Sequence, residues 1–154
     1  MISIIIPAYN EEKYLPATLE AIGAAAGGVA ASEIIVVDNE STDGTGEIAL
    51  RFGAKMVGET EHNIGRVRNT GAAGARGGIL VFIDADTLVE PGLFENIIEV
   101  MADERCFGGS VAVEYEATYK RRWIRYYLLG WQFWGRVLGM RQGAFAVLPA
   151  DCFP

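Results

Sequence analysis

The residues best suited to chemistry are acidic and stand where apolar runs stop. Ile79 to Ile83 are uninterrupted apolar residues, and Asp84 and Asp86 follow at once. Two carboxylates this close repel: at about 4 Å and an effective dielectric of about 20 the cost is on the order of 4 kcal/mol. A divalent cation removes that cost, and hard oxygen ligands suit Mg²⁺ or Mn²⁺. The plain alternative is a strand-end turn, where Asp is common, and Asp-Ala-Asp by itself does not choose between the two. Asp38 ends a second apolar run, Ile34 to Val37, and the polar loop Pro7-Ala8-Tyr9-Asn10-Glu11-Glu12 follows a third, Ile2 to Ile6. An Asp at a strand end can accept hydrogen bonds from a ribose hydroxyl or a base N–H. Carboxylates with a metal can hold a diphosphate, and Arg66 or Arg68 can help to neutralise it. Together these residues describe a nucleotide-diphosphate site with a metal.

Such a site needs elements that bring three loop tips to one edge. Continuous apolar runs fit strands buried on both faces, as in a parallel sheet covered by helices. Strands are expected at Met1–Ile6, Glu33–Val37, Ala54–Val57 and Ile79–Ile83. Helices are expected from Glu11 or Glu12 to Ala26, from the Ser41–Thr45 turn to Phe52, and over Gly65–Arg76. Ser41, Thr42 and Asp43 are candidate caps, and the small Gly71 and Gly74 permit close packing on the sheet. Pro91 starts a further helix whose buried face is Leu93, Phe94, Ile97, Ile98 and Met101. Phe107–Tyr115 reads as a strand, Ala144–Leu148 as one more apolar segment. Alternating strand and helix implies a mostly parallel α/β sheet flanked by helices, with ligands bound beyond the carboxyl ends of its strands.

Composition narrows the class. The chain has 154 residues, 51% of them apolar, enough for one domain with a real core. A net charge of −7 argues against a nucleic-acid-coating protein. Cys106 and Cys152 form no metal-spaced pair and suit a reducing compartment, and His62, the sole histidine, reads as a solvated loop residue without a role. No secretory signal precedes Ile2, and no run approaches a membrane span. The expected location is cytoplasmic.

Four segments, taken in order, resemble the family 2 glycosyltransferases, which have the GT-A fold. They are Pro7-Ala8-Tyr9-Asn10-Glu11-Glu12; Val36-Val37-Asp38-Asn39-Glu40-Ser41-Thr42-Asp43-Gly44-Thr45; Arg68-Asn69-Thr70-Gly71; and Phe82-Ile83-Asp84-Ala85-Asp86. The resemblance implies a nucleotide-sugar donor of UDP or GDP type, Mg²⁺ or Mn²⁺, and sugar transfer with inversion to a saccharide or lipid-linked acceptor. By that analogy Pro7, Ala8, Tyr9, Asn10, Glu11 and Asp38 hold the nucleoside. Arg68 lies near the base or diphosphate, Asp84 faces the ribose, and Asp86, beyond Ala85, holds the metal. Asn39-Glu40 stands where the family more often has Asp-Gly.

An inverting transfer also needs a base to deprotonate the acceptor hydroxyl. In the family it follows a Gly-Gly-Phe-Asp-type turn, which is expected to lie beyond Pro154, so residues 1–154 are expected to form one domain that lacks its C-terminal part. Asp151, Glu114 and Glu116 read as surface residues. The segment 121–141 mixes Trp, Tyr and Arg. It reads either as a helix packed on the domain or as an interfacial helix meeting the inner face of a membrane. Two other classes remain open. One is a nucleotide- or partner-binding domain without a base. The other is a nucleotidyltransferase, which wants a Gly-rich, basic loop after the first strand, and Pro7–Glu12 has neither feature.

Overall fold

A computed structural model describes residues 1–29, 31–103, 105–110 and 145–150. The elements run β1 (Ile2–Ala8), α1 (Leu15–Ala26), β2 (Ser32–Asp38), α2 (Thr45–Arg51), β3 (Lys55–Gly58), α3 (Ile64–Ala73), β4 (Ile79–Ile83), α4 (Leu93–Met101) and β5 (Phe145–Pro149). They form a five-stranded sheet in the order β3-β2-β1-β4-β5, parallel except for β5, which pairs antiparallel to β4.

The β1 strand shows why apolar residues are needed on both faces of the sheet. Ile2, Ile4 and Ile6 face the layer that holds Leu15, Leu19 and Ile22 of α1, Ala49 of α2 and Phe94 and Ile97 of α4. Ile5 faces the other layer, with Val37 of β2 and Val67 and Ala72 of α3. All four isoleucines are at most 1% exposed. Each contributes roughly 1.5–3 kcal/mol by leaving water. The chain therefore winds outward from β1 to β3 with α1 and α2 on one face, then returns through α3 on the opposite face to lay β4 on the other side of β1. That reversal opens a crevice at the carboxyl ends of β1 and β4, the usual ligand position in open α/β sheets.

Several sequence expectations shift. The first helix starts at Leu15, not at Glu11 or Glu12, with Pro16 in its first turn. In a helix begun earlier the Pro16 ring would strike the Glu12 carbonyl, and residues 12–14 form a turn instead. The third strand is displaced by one residue to Lys55–Gly58. The third helix ends at Ala73 with Gly74 as C-cap, short of the expected Arg76, because Arg76 donates its backbone N–H to Glu33 Oε1 at 2.6 Å. In α4 only Phe94 and Ile97 are buried, whereas Ile98 is 39% exposed. Gly109 makes an isolated antiparallel bridge to Val147. Phe107, Gly108 and Ser110 of the expected 107–115 strand are not in a strand, and its residues 111–115, the 121–141 segment, Glu116 and Asp151 lie outside the described residues.

At the sheet end away from the crevice, Ser3 donates to Glu33 Oε1 at 2.6 Å and accepts from the Gly77 backbone at 2.8 Å. Burial pushes the Glu33 carboxyl up, but hydrogen bonds from Ser3 and Arg76 outweigh it and hold the group below its ordinary value. The pairing fixes how β4 enters the sheet, and so where its other end emerges.

The α3 helix lies against the sheet at Gly71, where a Cβ would stand 2.4 Å from Ile5 Cγ2 and 2.8 Å from Val37 Cγ2. Gly71→Ala is expected to destabilise the fold by about 1–3 kcal/mol through overpacking. Gly74→Ala, whose nearest neighbours would be 3.5 Å away, is expected to be close to neutral in the same urea-unfolding measurement. Equal stability of the two variants would contradict the packing described.

Candidate functional site

The crevice is an open cleft of about 670 Å³ lined by Pro7, Ala8, Tyr9, Glu11, Asn39, His62, Ile64, Val67, Asp84, Ala85 and Asp86. Seven of the residues singled out from the sequence, Pro7, Ala8, Tyr9, Glu11, Asp84, Ala85 and Asp86, thus meet there. Arg68 reaches the same place from α3 and donates from Nη2 to Asp84 Oδ1 at 3.0 Å. Its Nε is buried and has no hydrogen-bond partner among the described residues. Arg66, the other candidate cation, pairs instead with Glu61 at 2.9 Å, both side chains being more than half exposed.

Two of the remaining residues are engaged with loop backbone. Asn10 Oδ1 accepts from the Thr42 backbone N–H at 2.8 Å, and Asp38 Oδ1 accepts from the Ser41 backbone N–H at 3.2 Å. The contacts belong to a lacing of the loops after β1 and β2. The Asn10 backbone donates to Ser41 Oγ at 3.0 Å, Glu11 to Thr45 Oγ1 at 2.8 Å and Glu12 to Asp43 Oδ2 at 3.1 Å. Glu12 Oε2 in return accepts from the Gly44 backbone at 2.9 Å. Of the expected caps of the second helix, Asp43 serves its first turn, with Oδ1 accepting from the Thr45 backbone N–H at 3.0 Å. Gly44 is the N-cap, without a side-chain cap of its own, and a carboxylate from the first loop satisfies its N–H. Asn10 and Glu40 both take left-handed backbone conformations, with φ of 55° and 61°. A non-glycine residue there costs roughly 1–2 kcal/mol, which explains why Gly is the commoner choice at the position of Glu40.

Asn39, the other departure from the Asp-Gly pattern, has a physical role of its own. It is 8% exposed, and its Nδ2 donates to the carbonyls of Glu59 at 2.7 Å and Glu61 at 3.2 Å. An ionised Asp only accepts hydrogen bonds and would face two carbonyl oxygens. The amide ties the β3–α3 loop to the tip of β2.

The acidic turn is held from a different direction. Thr87 donates its backbone N–H to the Asp84 carbonyl at 3.1 Å, and the buried Thr18 of α1 donates its hydroxyl to the Ala85 carbonyl at 2.7 Å. Ala85 is 4% exposed, so the turn's middle residue is pinned inward while the flanking carboxylates remain accessible. Thr18 carries no motif, and helical periodicity marks it only as a core-facing position. His62 was read as a loop residue without a role, yet it forms part of the cleft wall.

The electrostatics show uncompensated negative charge. The Glu11 carboxyl is pushed above its ordinary value, first by burial, then by Asp86 and by Asp43. Among the described residues no group of three acidic, His or Cys side chains could hold a metal ion. The donor set fits a hard cation bound through one or two carboxylates, with phosphate oxygens and water completing its shell. Asp86 would hold it, with Glu11 nearby.

The comparisons bear on the family and the fold. The glycosyl transferase family 2 profile matches residues 3–153, and the chain belongs to that family. A 4,4'-diaponeurosporenoate glycosyltransferase of Staphylococcus haemolyticus is 38% identical over 130 residues, covering 77% of this chain and 33% of the relative. An uncharacterized glycosyltransferase of Mycobacterium tuberculosis is 40% identical over 91 residues, covering 59% of this chain and 39% of the relative. The chain thus spans well under half the length of these curated relatives. Among solved structures, a mannosyltransferase from Pyrobaculum calidifontis in complex with GDP-Man and Mn²⁺ superposes with a TM-score of 0.74 at 25% identity, over 96% of this chain and 44% of that one. Glucosyl-3-phosphoglycerate synthase from Mycobacterium tuberculosis, in complex with Mn²⁺ and UDP, shares the fold with a TM-score of 0.70 at 23% identity, over 98% of this chain and 57% of that one. The sheet and its flanking helices are those of the GT-A fold.

The anchoring of the acidic turn is open to test. Thr18→Val keeps the shape but leaves the Ala85 carbonyl unpaired, and is expected to cost about 1–3 kcal/mol in stability. Thr18→Ser is expected to restore most of it, as read by urea unfolding. A Val variant as stable as the parent would show that the hydroxyl does not hold the turn.

Proposed function

We propose that the cleft binds a nucleotide-sugar donor of UDP or GDP type together with Mg²⁺ or Mn²⁺, for transfer of the sugar to a saccharide or lipid-linked acceptor with inversion. The observation that carries this reading is the charge crowding at the tips of β1 and β4. Glu11 is raised partly by Asp86, while Asp84 stands against Arg68. Carboxylates alone would repel a diphosphate, and a divalent cation reconciles the two. The cation would supply Lewis-acid stabilisation of the charge that develops on the departing diphosphate.

The chain's own side chains divide the remaining tasks. Asp84 accepts hydrogen bonds from the ribose hydroxyls, and its pairing with Arg68 keeps its carboxylate in place. Arg68 has further N–H groups to offer a phosphate oxygen. Tyr9, 52% exposed at the cleft, presents a face to the nucleoside, and Pro7, Ala8 and Asn10 shape the loop that carries it. Asp38 contributes at the nucleoside end through the loop it fixes. The acceptor hydroxyl is deprotonated by a carboxylate that we infer to lie in the part of the relatives this chain does not span, so residues 1–154 bind the donor and complete the reaction only together with that part. No helix among the described residues is long and apolar enough to cross a membrane. A lipid-linked acceptor is reached in this reading by peripheral contact, for which 121–141 is the candidate segment, and this would place the protein at the inner face of the membrane.

Calorimetric titration with UDP and GDP, with and without Mn²⁺, tests the reading. Binding is expected only with the metal, and Asp86→Ala is expected to weaken it by on the order of tenfold or more. Metal-independent binding that ignores Asp86→Ala would defeat the proposal. Tight binding without release of nucleoside diphosphate from a sugar donor would favour either a binding domain or the need for the C-terminal part that carries the base.

A further inference from the structure

The side chain of His62 is 56% exposed, but the loop that carries it is tied on both sides. The residue before it is tied by the Asn39 amide, which donates to the Glu61 carbonyl at 3.2 Å. The residue after it, Asn63, is the N-cap of α3, its Oδ1 accepting from the Gly65 and Arg66 backbones at 3.0 and 3.2 Å. Its ring meets the Tyr9 ring edge-on, with centroids 5.3 Å apart and planes 72° from parallel. Its Nε2 lies 3.3 Å from Glu40 Oε2. Glu40 keeps a left-handed backbone conformation to stand there, and such conformations persist only where the surroundings over-determine them. An ordinary solvated loop histidine has none of these restraints.

Two kinds of side chain line the cleft. Glu11 and Asp86 are acidic and within electrostatic reach of one another. Tyr9 and His62 are aromatic and in edge-on contact. A nucleoside diphosphate has two matching parts: a charged phosphate part that takes a cation, and a flat heteroaromatic part that stacks on rings. A proton on Nε2 facing Glu40 leaves Nδ1 as a hydrogen-bond acceptor, or as a second donor when the ring is charged. Nδ1 can therefore read the edge of a base as well as pack on its face.

We propose that His62, oriented by Glu40 and Tyr9, contacts the nucleobase and sets which nucleoside diphosphate the cleft prefers. The inference rests on the nucleotide reading given above and adds the residue that discriminates among nucleotides. It also gives a reason for Asn39-Glu40: the amide fixes the His62 loop, and the carboxylate fixes the His62 ring.

Titration of the protein with UDP, GDP and inorganic pyrophosphate, each with Mn²⁺, separates contacts to the base from contacts to the diphosphate. His62→Ala is expected to weaken the preferred nucleoside diphosphate by about tenfold, the lower end of what one base–aromatic contact supplies. It is expected to leave pyrophosphate within about twofold, since that ligand has no base to lose. Glu40→Gln is expected to narrow the ratio between UDP and GDP, with pyrophosphate again unmoved. Both positions are exposed, so the thermal unfolding midpoint is expected to stay at the parent value, which shows that the variants fold. Unchanged nucleotide affinities in His62→Ala, or equal loss of pyrophosphate, would overturn the assignment of His62 while leaving the nucleotide site standing. Failure of the parent protein to take up any of the three ligands would overturn both.

Discussion

Like charges held at fixed positions on a sheet edge are the constraint from which the rest follows. Glu11 and Asp86 come from loops that end neighbouring strands, and the winding reversal between β1 and β4 puts those loops over one crevice. In water these carboxylates would move apart. Here the backbone denies them that freedom, and burial first, with the charges of Asp86 and Asp43 after it, leaves Glu11 a carboxyl that gives up its proton less readily than usual. A site prepared in this way gains most from a ligand that brings positive charge with it. The Arg68–Asp84 pair relieves only part of the crowding, because both side chains are about one third exposed and such pairs contribute little in water.

Rigidity at the tips comes from polar contacts between loops rather than from the core. The isoleucines of β1 and the apolar faces of α1 and α3 secure the sheet, but their influence ends at Ala8. Beyond it the loops after β1 and β2 exchange hydrogen bonds in both directions, and Glu12 caps a helix that is not its own. The Asp84–Asp86 turn is anchored by a hydroxyl from α1. The β3–α3 loop is anchored by an amide from β2. Each anchor crosses between elements, so the cleft forms only once the sheet is assembled. Binding geometry and folding are in this way properties of the same contacts.

The division between what the sequence shows and what it conceals follows the range of the interactions. Runs such as Ile79–Ile83 announce buried strands by local composition, and Asp38, Asp84 and Asp86 announce strand ends. The mostly parallel α/β sheet and most of the cleft are legible for that reason, whereas the GT-A assignment comes from the resemblance of the four motifs. The start of α1 was misjudged by a turn because the acidic residues at Glu11 and Glu12 resemble a helix N-terminus, while the steric veto of Pro16 acts on a carbonyl upstream of it. Glu12 does meet a helix N-terminus, but it is that of α2, at Gly44. Thr18, Asn39 and His62 escaped because their partners are remote in sequence. A threonine in an apolar helix face, an asparagine in a turn and a lone histidine in a charged loop have no local mark of their position. Asn39 did leave a signal, since its departure from Asp is a change from acceptor to donor, and a donor there implies carbonyls to receive it.

The account depends most directly on where the acidic side chains point when a ligand is present. A crystal structure of the protein with Mn²⁺ and a nucleoside diphosphate tests this, using anomalous scattering to locate the metal. The account predicts manganese within coordination distance of an Asp86 oxygen, about 2.0–2.2 Å as for similar hard divalent cations, with diphosphate oxygens in the same shell and Asp84 facing the ribose. Manganese bound elsewhere, or Asp84 and Asp86 turned from a cleft that holds no nucleotide under those conditions, would contradict it.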